Sequence, residues 1–70
     1  MALQLFTAIL HQEGDWYVAE CPEVGTISQG HTVEEAIANL KEATEVYLEE
    51  FPAPSVSRPI VAVFEVAVHA

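Results

Sequence analysis

Seventy residues, 51% of them hydrophobic, make one folded domain spanning 1–70 and are too apolar for a disordered chain. Eleven carboxylates face only Lys41 and Arg58, a formal net charge of −9. Two basic side chains cannot neutralise a phosphate backbone, so direct binding to nucleic acid or to an anionic membrane is not expected, whereas a basic partner is favoured.

Residues 3–12, rich in Leu, Ile, Phe and Thr, read as a first strand. Glu13, Gly14 and Asp15 form a short turn, and Trp16–Cys21 returns as the second strand of an antiparallel hairpin. Pro22 stops that strand, and Pro22 to Gly25 reads as a turn. Residues 26–29 form a short third strand, broken by Gly30. A helix then begins at Thr32, whose N-cap oxygen and Glu35 three positions on give a capping-box pattern. Val33, Ala36, Ile37, Leu40, Ala43, Tyr47, Leu48 and Phe51 follow at steps of three and four and place one apolar stripe on one face. Pro52 and Pro54 end it, residues 55–58 form a polar connector, and 59–69 read as a β-branched last strand.

The expected fold class is therefore α+β: β-β-β-α-β, a four-stranded mixed sheet of order 3-2-1-4 with one helix packed on one face. A right-handed crossover places the last strand parallel to the first. One helix covers about two strands of one face, because strands lie ~4.8 Å apart and a helix is ~10 Å wide. Yet the first and last strands are apolar on both sides. A sheet with one wet face alternates apolar and polar residues, so a second copy is expected to cover what the helix leaves bare. A homodimer or higher assembly follows, with Ile60, Val61, Ala62, Val63 and Phe64 as the self-association residues.

No catalytic, cofactor or metal site is expected. His11, His31, His69 and Cys21 show no ligand-like spacing and read as ordinary turn, strand-end or buried residues. Cys21 has no Lys or Arg beside it in sequence to lower its pKa, and reads as an inert buried thiol. Glu34-Glu35 and Glu49-Glu50 are adjacent on a helix and do not face each other. Gly14, Gly25 and Gly30 are isolated, so no phosphate-binding loop exists. The acidic helix face is more informative. Glu42, Glu45 and Glu49 line up at spacings of three and four, where like charges destabilise a helix by a few tenths of a kcal/mol, ~0.2–0.5 per pair. Such a face fits a basic ligand, although plain solubility explains it as well. Glu42, Glu45 and Glu49 with Glu23 are the expected partner-binding acids, and Trp16 is the expected aromatic anchor, with core packing its alternative role.

The segments Phe6-Thr7-Ala8-Ile9, Glu13-Gly14-Asp15-Trp16-Tyr17-Val18-Ala19, Cys21-Pro22-Glu23-Val24, Ser28-Gln29-Gly30-His31-Thr32-Val33-Glu34-Glu35-Ala36 and Ala38-Asn39-Leu40-Lys41-Glu42-Ala43 together resemble the N-terminal domain of the HicB-like antitoxin family. His31 departs from the family pattern, which usually has aspartate between Gly30 and Thr32. The resemblance implies a truncated, degenerate ribonuclease H-like fold that binds a small basic ribonuclease toxin of the double-stranded-RNA-binding-like type and occludes its active site. The acidic metal ligands of a working ribonuclease H start on its first strand, and residues 3–12 hold no Asp or Glu, so nuclease activity is not expected. Family members often continue into a DNA-binding segment; none is expected within these residues.

The expectation is thus a non-catalytic, cytoplasmic antitoxin domain of a type II toxin-antitoxin system. The lone cysteine and the absence of a signal peptide or a ~20-residue apolar run fit that compartment. The alternatives are a stand-alone oligomeric structural or regulatory domain without a toxin and, least favoured, an enzyme.

Overall fold

Gly14 has φ 61°, a backbone conformation that side chains rarely adopt, and it lets two residues reverse the chain between Glu13 and Trp16. The computed structural model describes residues 3–52 and 59–69 and places a hairpin there. Strand β1 (Ile9–Glu13) pairs antiparallel with β2 (Trp16–Cys21), Ile9 opposite Glu20 and Glu13 opposite Trp16. The second reversal, at Pro22 to Gly25, closes with Gly25 N–H donating to the Cys21 carbonyl at 2.7 Å, with Gly25 at φ 86°. Strand β3 (Thr26–Gly30) returns against β2, and the sheet order is β1-β2-β3.

Helix α1 (Val33–Glu50) starts where the capping pattern put it. Thr32 Oγ1 accepts from the Glu35 N–H at 3.0 Å, and the Glu35 carboxylate reaches back to the His31 N–H at 2.8 Å. The reach falls one residue before the N-cap, but it still satisfies an otherwise orphan donor. At the other end, Phe51 is extended, its N–H donates to the Tyr47 carbonyl, and its ring stacks on Tyr47. Pro52 has no N–H with which to continue.

The helix lies across β2 and β3, on the face that carries Ala19, Cys21 and Gly30. Ala36 and Leu40 press on Ala19 and Cys21, with Phe6, Ala8, Leu10, Tyr17 and Val24 around them. Helix and strand come close because residue 30 is glycine: a Cβ there would stand 2.6 Å from the Ala36 nitrogen. Two polar ties fix the docking. Thr26 Oγ1 and the buried Thr44 Oγ1 lie 2.7 Å apart, and Asn39 Nδ2 donates to the Gln29 carbonyl at 2.8 Å.

The structure corrects the expected four-stranded mixed sheet of order 3-2-1-4. Among the described residues three strands form, all antiparallel, and the order of elements is β-β-β-α. Residues 59–69 contain no strand and are exposed throughout. A strand requires hydrogen bonds to a neighbour, and β-branched composition alone biases the backbone by no more than ~1 kcal/mol. The first strand is also shorter than the expected 3–12. With Ile9 opposite Glu20, residues before Ala8 run past the end of β2, where Pro22 turns away, and find no strand to pair with. Pro54, Arg58 and the connector expected at 55–58 lie outside the described residues.

Candidate functional site

Two surfaces stand out, one charged and one apolar. The charged one is the outer face of α1. Glu42, Glu45 and Glu49 fall opposite Ala36, Leu40 and Thr44, the residues that α1 buries, so the same periodicity that seats the helix turns the glutamates to solvent. The last turn contains no basic residue, so Glu49 and Glu50 face the negative end of the helix dipole unrelieved by one. Among the described residues the only side-chain contact between a carboxylate and a basic group lies elsewhere, a hydrogen bond between His11 Nε2 and Glu13 Oε2 at 2.6 Å. Glu42 flanks a shallow hollow with Ser28, Asn39, Ala43 and Val46, and Val46 adds an exposed apolar residue beside the acidic row, on the side facing β3.

The other two expected partner-binding residues stand apart from this face. Trp16, 40% exposed, lies at the helix N-terminal end, its ring 4.0 Å from the His31 ring. The register explains the contact: Tyr17 pairs with Gly30, which brings the next residue of each strand together. Glu23 sits at the opposite end and is occupied internally. Its carboxylate accepts from the Thr7 N–H at 2.9 and 3.1 Å, from Thr7 Oγ1 at 2.8 Å and from the Cys21 thiol at 3.4 Å. Partial burial pushes the Glu23 carboxyl up, but the hydrogen bonds from Thr7 outweigh it and hold the group below the usual carboxylate range. Nothing in the sequence marks a bond between residues sixteen positions apart. Burial pushes the neighbouring Cys21 thiol up, the reverse of what a nucleophile needs.

The apolar surface is a groove of about 470 Å³ lined by Leu3, Phe6, Ala8, Ile37, Leu40 and Leu48 among others. Lys41 and Glu45 stand at its rim. The residues expected to self-associate, Ile60, Val61, Ala62, Val63 and Phe64, are all exposed, Ile60 at 95% and Val63 at 96%. Among the described residues no group of three or more His, Cys, Asp or Glu could hold a metal ion, and no helix is long and apolar enough to cross a membrane.

A three-stranded meander covered by one acidic helix defines a small α+β domain. The chain is 40% identical over 50 residues to a UPF0150 protein of Helicobacter pylori, a match covering 70% of this chain and 69% of that one. It is 50% identical over 46 residues to a UPF0150 protein of Synechocystis sp., covering 63% of this chain and 58% of the other. The chain belongs to the UPF0150 family. No family model and no solved structure matches it.

Proposed function

We propose that this chain is a HicB-like antitoxin domain, a non-catalytic module that binds a small basic ribonuclease and occludes its active site. The observation that carries the reading is the outer face of α1. Glu42, Glu45 and Glu49 stand in one row, with none of the hydrogen bonds or ion pairs among the described residues engaging them. That row opposes helix stability, so a cationic ligand would relieve a repulsion already present in the free domain. Val46 supplies apolar area beside the acids, and Trp16 offers a separate aromatic contact at the far end. Kinship with UPF0150 proteins and the motif string support the same assignment. Occlusion asks no chemistry of this chain, in keeping with a thiol pushed away from reactivity.

The test is co-expression with any small basic protein that the genes flanking this one encode. Binding should be tight, should weaken as salt rises, and should abolish that protein's cleavage of RNA. The triple variant Glu42→Lys/Glu45→Lys/Glu49→Lys should lose binding while keeping its helical signal. Absence of any such neighbour, or binding indifferent to both salt and charge reversal, would overturn the assignment and leave a stand-alone structural domain.

A further inference from the structure

We infer that residues 59–69 form an intermolecular strand: two copies of the chain exchange this segment, each seating it in the apolar groove between residues 3–8 and α1 of the other. The inference does not rest on the toxin-binding reading: the groove lies beside the acidic row, and of that row Glu45 alone lines it.

Four observations carry it. The first is a donor and an acceptor that do not meet within the chain. The groove lined by Leu3, Phe6, Ala8, Ile37, Leu40 and Leu48 is open, with Leu3 97% exposed, while Val63 and Phe64 are 96% and 83% exposed. Neither is covered by the other. The second is backbone chemistry. Strand β1 is an outer strand of the sheet, so one of its edges faces no neighbour, and residues 3–8 before it belong to no strand. Residues 59–69 likewise join no strand pairing among the described residues, which leaves two stretches of backbone N–H and C=O groups suited to strand addition.

The third is charge. Two molecules of net charge −9 repel, so they can meet only where charge is sparse. Residues 59–69 carry one acid, Glu65, and the groove carries Lys41 against Glu45. Bringing these surfaces together offers Glu65 the one basic side chain at the groove and keeps the acidic row of Glu42 and Glu49 outside. The fourth is area. Ile60, Val61, Val63, Phe64, Val66 and Val68 are all large, apolar and exposed. Each offers on the order of 100 Å², so reciprocal exchange withdraws on the order of 1,200 Å² from the segments alone, the size class of a stable interface. Exchange also closes a two-fold symmetric pair and leaves no apolar segment free to recruit a third copy.

Sedimentation of the full chain should show a dimer at micromolar concentration, undiminished by salt because salt screens the mutual repulsion. Phe64→Glu and, separately, Ile37→Glu should each abolish the dimer with the helical signal intact. Cross-linking then assigns the geometry. In a Cys21→Ser background, chains carrying Ile37→Cys and chains carrying Val63→Cys should be joined by a short bismaleimide when mixed, and neither alone. A monomer at these concentrations, a dimer indifferent to Phe64→Glu, or cross-links that form between two Val63→Cys chains and not in the mixture would each overturn the exchange.

Discussion

Residues 9–50 are less apolar than residues 59–69, yet the first region is closed on itself and the second is not. In the first, each strand has a neighbour, each turn has its glycine, and the helix has both caps. In the second, an unbroken run from Ile60 to Phe64 stays exposed. Hydrophobic content alone does not make structure. What separates the regions is whether a backbone partner lies within reach, and that depends on topology more than on composition.

The contrast can be broken first at Gly30. Gly30→Ala drives a methyl against the Ala36 backbone nitrogen, which cannot rotate away, and should destabilise residues 9–50 by about 2 kcal/mol in urea unfolding. If the variant is as stable as the parent, the close helix-strand contact is not what fixes the docking.

A smaller effect should come from the Glu23 latch that ties residues 3–8 to the Pro22–Gly25 turn. A carboxyl held below its usual range contributes stability at pH above that range and loses it as pH falls through the depressed value. Glu23→Gln should therefore cost about 1 kcal/mol near neutrality and progressively less in acid, where the parent loses the same bonds. Parallel pH profiles for the two proteins would show the latch to be energetically silent.

The smallest effect belongs to the second region. Val63→Ser in a chain kept monomeric should change unfolding free energy by less than about 0.5 kcal/mol, because Val63 touches little within its own chain. A larger loss would place residues 59–69 inside the monomer's core.

The same division marks what the sequence could tell. The hairpin at Gly14, the Trp16–Cys21 strand, the Thr32 and Glu35 cap and the helix end before Pro52 rest on neighbours a few positions apart, and each was legible. So was the row of Glu42, Glu45 and Glu49, which helical spacing alone lines up. Features set by distant residues were not. The early end of the β1 pairing depends on where β2 turns away, and the bond from Thr7 to Glu23 spans sixteen positions. The fate of residues 59–69 was not legible either: they have the composition of a strand, but among the described residues nothing pairs with them.

Hydrogen exchange followed across protein concentration tests that distinction most directly, because it reads backbone pairing residue by residue. Amides of β1 to α1 should be protected at every concentration, and those of 59–69 should gain protection only as chains associate. Protection of 59–69 that persists in dilute, monomeric protein would contradict the account.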